Sequence, residues 1–186
     1  LLLSHFYGIT VAGAYAFGVR ILQMPLGFVL ASLRQVLFQK ASETYNTGER
    51  LLPLFVTVTS ALFAIAFVPG MILFIWAPDI FQWAFGPEWH TAGTYARWLI
   101  VWLVPMFCNV PSILLARILR QQRKMFLYDV FILMIRFASL VVGGYCLSET
   151  HTVIVFSVLG FVLNVGYIVW IGVLLIRRES HARHII

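Results

Sequence analysis

Charge is scarce in this sequence: of 186 residues, 11% are Asp, Glu, Lys or Arg, against about 25% in soluble domains. Acids are scarcer still, 7 against 13 Lys and Arg. Glu43, Glu49, Asp79, Glu88, Asp129, Glu149 and Glu179 all fall in polar connections or at the ends of apolar blocks. No paired carboxylates and no Ser, His and Asp set stand out, so the chain does not read as an enzyme. Cys108 and Cys146 lie in separate apolar blocks, and His5, His90, His151, His181 and His184 are scattered. That spacing offers neither a disulfide framework nor a metal-ligand set, and no cofactor is expected. Tandem repeats and low-complexity segments are lacking, and no connection is long enough to hold a soluble domain. Residue 1 is Leu in an apolar stretch without Met or a basic flank, so it reads as neither signal peptide nor natural start. An upstream part is therefore expected to be missing.

What is abundant is apolar surface. The chain is 61% hydrophobic with a mean hydropathy of +0.92, and the apolar residues come in blocks long enough to cross a bilayer. The expected fold is all-α, a polytopic transmembrane bundle occupying residues 1–186 as one unit. Five full spans are read at residues 11–38, 51–76, 94–116, 130–148 and 152–176. Residues 1–7 are a partial span, followed by a turn around Gly8 and Gly13. The net charge of +6 would suggest nucleic acid in a soluble protein, but here it alternates between connections. Lys40 and Arg50 lie in the first (residues 39–50), and Arg117, Arg120, Arg123 and Lys124 in the third (117–129). Arg177, Arg178 and Arg183 are in the tail, while 77–92 and 149–151 have no Lys or Arg. By the positive-inside rule the basic connections and the C-terminus are cytoplasmic. Phe81, Trp83, Phe85 and Trp89 suit an interfacial belt on the other side.

The segment 13–34, apolar enough to span yet carrying two arginines, is expected to organise the rest. At 100° per residue, Gly13, Ala16, Arg20, Gln23, Gly27, Ala31 and Arg34 share one stripe, opposite Val11, Tyr15, Leu22, Val29, Leu33 and Val36. Pro25 is expected to kink the helix. A small, polar stripe on a fatty helix suits a wet or protein-filled interior. Arg20, Gln23 and Arg34 are the cavity candidates, with snorkelling to the interface the alternative for Arg34. Arg136, inside the fourth full span, is a further cavity candidate or a helix-pairing residue; Asp129, two turns away, is too far for a direct pair. Arg117, Arg120, Arg123 and Lys124 are expected to contact anionic lipid headgroups. Asn109, between Pro105 and Pro111, is expected to bond carbonyls freed by the prolines. Ser157, Gly160 and Asn164 read as a helix-packing stripe.

Two stretches resemble a known family. Residues 12–43, AGAYAFGVRILQMPLGFVLASLRQVLFQKASE, carry its AG-x-Y/F start, a helix with arginine, P-L-G and a Q-V-F-like segment before a polar loop. Residues 85–99, FGPEWHTAGTYARWL, are similar to its F-G-x-x-W-x-x-A-G-x-Y-x-x-x-L stretch. The resemblance is to the C-terminal half of bacterial polysaccharide flippases, the Wzx-like polysaccharide transporter group of the MOP superfamily, related to MATE exporters. It implies one lobe of a two-lobe transporter with about twelve to fourteen spans, working by alternating access in the bacterial inner membrane. The implied cargo is an undecaprenyl-pyrophosphate-linked oligosaccharide, and the implied partners are membrane lipids and the missing N-terminal bundle, with no nucleic acid. The competing readings are a lipid II flippase, a MATE-type drug exporter, a membrane enzyme such as an O-antigen polymerase, and a purely structural bundle. A drug exporter should carry a mid-span acid, and an O-antigen polymerase a basic external loop; neither is present in this sequence.

Overall fold

A computed structural model describes residues 2–183, with side chains through residue 180; Leu1 and His184, and the side chains of His181 and Arg183, lie outside it. Helices α1 (Leu2–Tyr7), α2 (Ile9–Asn46) and α3 (Leu51–Phe85) are followed by a 3₁₀ turn (Pro87–Trp89). Helices α4 (His90–Cys108), α5 (Val110–Ile118), α6 (Gln122–Cys146) and α7 (Glu149–Arg183) complete the bundle, with no strand among the described residues. Five helical segments are long and apolar enough to cross a membrane: Ile9–Asn46, Leu51–Phe85, Pro87–Ile118, Gln122–Cys146 and Glu149–Ser180. These are the five full spans expected from hydropathy. The residues read as a partial span form the short α1, six residues long.

The ends of the helices differ from the expectation. The break near the start is at Gly8 alone, whose φ of 87° suits glycine; Gly13 lies inside α2. Residues 39–46, expected as connection, are the last two turns of α2, and 77–85 the last turns of α3. Most of 117–129 is helix as well, leaving residues 119–121 as the link between α5 and α6. At 1.5 Å per residue α2 is about 57 Å long, well beyond a hydrocarbon core of about 30 Å. Both α2 and α3 remain continuous helices through Pro25, Pro69 and Pro78. An apolar pocket of about 460 Å³ lies beside Pro25 and Pro69, walled by Leu103 and Phe107.

The organising element is α4, and not the arginine-bearing α2. Of the most apolar window in each segment, 78% is buried in Pro87–Ile118, 17% in Ile9–Asn46 and none in Gln122–Cys146. Helix α4 packs against α2, α3 and α7, and its Tyr95, Ala96, Leu99 and Leu103 are completely enclosed. Helices can approach this closely because small residues stand at the crossings, as in other membrane bundles where van der Waals packing drives association. A Cβ on Gly18 of α2 would lie 3.2 Å from the Ala92 carbonyl oxygen. One on Gly93 would lie 2.5 Å from Pro78 Cα and 2.6 Å from the Ala77 carbonyl oxygen. The apolar residues left over face outward, among them Phe28, Val36, Phe126, Leu133 and Phe137, as a surface meeting lipid would have.

The α4–α5 rod is interrupted at Asn109, and there the expected role of that side chain changes. Its Nδ2 donates to Asn164 Oδ1 on α7 at 3.2 Å, and Asn164 Nδ2 donates to the Gly160 carbonyl at 2.8 Å. Asn109 therefore ties two helices together and does not serve carbonyls freed by the prolines. Ser157, Gly160 and Asn164 are all buried, in keeping with a packing stripe. Asn109→Ala and Asn164→Ala should each lower stability by about 1–2 kcal/mol, and the double variant by less than the sum. Additive losses in thermal unfolding would mean that the amide pair contributes nothing as a pair.

Candidate functional site

A groove of about 1120 Å³ runs along α2 between α1 and α6. Its walls include Tyr15, Ala16, Arg20, Gln23, Gly27 and Ala31 of α2, Leu2 and Leu3 of α1, and Leu140 of α6. Five of the seven stripe residues are thus brought together: Ala16, Arg20, Gln23, Gly27 and Ala31. Their spacing of three and four residues keeps them on one face, while Leu22, Leu30 and Leu37 turn toward the core. Nothing would lie within 4 Å of a Cβ at Gly27 or Gly13, so these glycines keep the face shallow instead of admitting a close neighbour. Arg20 and Gln23 are exposed, and Arg20 makes no hydrogen bond or ion pair among the described residues. Chemically the groove presents one planar, permanently charged donor fork and one amide beside a smooth apolar floor.

Arg34 is not part of it. It lies fourteen residues, or about 21 Å, further along α2, beyond Ala31 at the end of the lining, and is exposed toward the basic end. Arg136 is separate again, held in the wall behind the groove. Its Cζ sits 4.1 Å from the Trp102 ring centre and 4.0 Å from that of Phe156. Its Nε and Nη2 are buried without a hydrogen-bond partner, so the two ring faces are its main company. Gly160 makes room for this stack, since a Cβ there would lie 2.9 Å from Trp102 Cβ and 3.2 Å from Arg136 Nη2. Tyr15 connects the two places: it lines the groove and meets Phe156 edge-on at 6.4 Å.

Of the four basic residues 117–124, Arg117 and Arg120 line a second pocket of about 600 Å³ with Tyr45 and Gln122. Arg123 and Lys124 are exposed on the first turn of α6, outside that lining. Two residues that bear on the site were missed from the sequence. Tyr15 was placed on the fatty face, although the AG-x-Y motif singled it out. Arg97, the third arginine within an apolar block, donates from Nη2 to the Ile75 carbonyl at 2.7 Å, one turn before Pro78; it fastens α4 to α3. A cation inside a predicted span was signal enough to name it.

Compared with known proteins, the chain matches no family model, no curated protein and no solved structure.

Proposed function

We propose that this chain is one lobe of a bacterial inner-membrane flippase that carries an undecaprenyl-pyrophosphate-linked oligosaccharide outward by alternating access. The observation that carries the reading is Arg20 standing uncompensated in the α2 groove, with Gln23 one turn away and small residues on either side. A pyrophosphate cannot cross hydrocarbon bare, because desolvating unpaired charge costs several kcal/mol or more. A guanidinium fork offers it two parallel hydrogen bonds and stays ionised at every relevant pH. A second bundle of the kind the resemblance implies closes the open side of the groove, and the end carrying Lys40, Arg50, Arg117 and Arg177 faces the cytoplasm with the C-terminus. Glycan hydroxyls meet Gln23, and the lipid tail stays outside along the apolar flank of α2. Chemistry on the cargo is not part of the cycle.

Arg20→Ala in the full-length protein should cut surface polysaccharide at least about 10-fold, the effect of losing one charged hydrogen-bond pair. Arg20→Lys should restore part of it, since a point charge remains and the fork does not. Protein level in the membrane should stay unchanged, because the side chain is exposed and makes no hydrogen bond or ion pair among the described residues. Normal polysaccharide display with Arg20→Ala would remove the basis for this reading.

A further inference from the structure

The second pocket sits at the basic end, where the last turns of α2 meet α5 and the start of α6. Its lining divides by chemistry. Ser42, Tyr45, Asn46, Arg117, Arg120 and Gln122 form a polar sector, and Phe38, Ile118 and Met125 an apolar one. Among the described residues, neither Arg117 nor Arg120 has a carboxylate within 4 Å, and no acid lines the pocket. The acids nearby lie outside the lining: Glu43 pairs with Lys40 at 3.3 Å and Glu179 accepts the Leu52 N–H at 2.9 Å. Asp129, two turns along α6, offsets part of the Arg117 charge through space without an ion pair, and leaves Arg120 as the less compensated of the two. Arg178 reinforces the positive field from behind, stacking on the Tyr45 ring at 4.9 Å and donating to its hydroxyl at 3.3 Å.

We propose that this pocket is a site for the phosphate headgroup of an anionic membrane lipid, separate from the α2 groove. Two arginine forks facing one concavity match the oxygens of a phosphodiester, and Ser42, Asn46 and Gln122 supply neutral hydrogen bonds around it. The apolar sector distinguishes a lipid from free phosphate: Phe38 is about half exposed and, with Ile118 and Met125, covers the first methylenes of an acyl chain. Bound there, the lipid joins the end of α2 to the start of α6, two elements that share little other packing at this end. Arg123 and Lys124, which sit outside the lining, add long-range attraction without contact.

The test uses the full-length protein in nanodiscs of zwitterionic phosphatidylcholine, with and without phosphatidylglycerol, or with millimolar inorganic phosphate in place of the anionic lipid. Phosphatidylglycerol should raise the unfolding midpoint by roughly 5–10 °C, and native mass spectrometry should show lipid retained on the protein. Arg117→Gln with Arg120→Gln should abolish both effects while leaving the midpoint in pure phosphatidylcholine unchanged. Arg123→Gln with Lys124→Gln should preserve both. The proposal is overturned if the pocket variant keeps the full lipid-dependent shift, if the outer pair is equally sensitive, or if inorganic phosphate alone reproduces the stabilisation.

Discussion

Gly93→Ala should deplete the folded protein from the membrane, although it adds one methyl group to a helix. In an exposed helix that change stabilises, by up to about 1 kcal/mol. Here the new Cβ would meet Pro78 Cα at 2.5 Å and the Ala77 carbonyl oxygen at 2.6 Å. Both are backbone atoms, so no side-chain rotation relieves the clash and α3 and α4 must separate. Their crossing supports the most enclosed part of the bundle, with Ala77, Phe81, Ala92 and Tyr95 all packed around it. Overpacking of this kind typically costs about 1–3 kcal/mol, and a rigid backbone contact places the effect at the upper end or above. Arg97 would lose its bond to Ile75 in the same displacement. Gly13→Ala is the control, since nothing lies within 4 Å of its Cβ direction. Wild-type thermal stability for Gly93→Ala would show that the helices can slide apart freely.

Arg136→Ala should be nearly as damaging, for a different reason. The guanidinium fills the space between Trp102 and Phe156 and is attracted by both ring faces at about 4 Å. A desolvated cation–π contact contributes roughly 2 kcal/mol, and emptying a slot of that size adds a cavity cost, for a loss of about 3 kcal/mol or more. Arg136→Met separates shape from charge. A buried cation often contributes little net stability beyond what a well-packed apolar side chain of similar size provides. Methionine should therefore restore the folded protein and, under the proposed function, surface polysaccharide with it, because Nε and Nη2 are buried. A variant that folds normally but displays no polysaccharide would instead put Arg136 in the path of the proposed cargo.

The number of spans, the alternation of basic and non-basic ends and the small-polar stripe of α2 were all legible in the residues. Each rests on a strong local signal: apolar length, Lys and Arg position, and a period of 3.6. The helix ends were not. Hydropathy marks where a chain leaves the bilayer, whereas a helix that satisfies its own backbone can continue past its apolar stretch, as α2 does through the polar residues 39–46. The centrality of α4 was equally hidden, because burial is a property of neighbours and α3 is no less apolar than α4. Arg34 and Arg20 share an angle on a helical wheel; position along the span already offered snorkelling for Arg34, and the end of the groove lining at Ala31 leaves Arg34 outside it. The Arg136 stack joins α4, α6 and α7, an association that no pattern within one helix could reveal.

The interrupted α4–α5 rod bears on how the molecule is made. Asn109 waits for Asn164, and that partner lies on α7, which is synthesised later than the rod. Since a chain is delivered from its N-terminus onward, the rod enters the lipid with an amide exposed that water can no longer satisfy. Synthesis of α7 is thus the step that relieves it, and an incomplete chain ending before residue 164 carries a polar flaw that quality-control proteases can recognise.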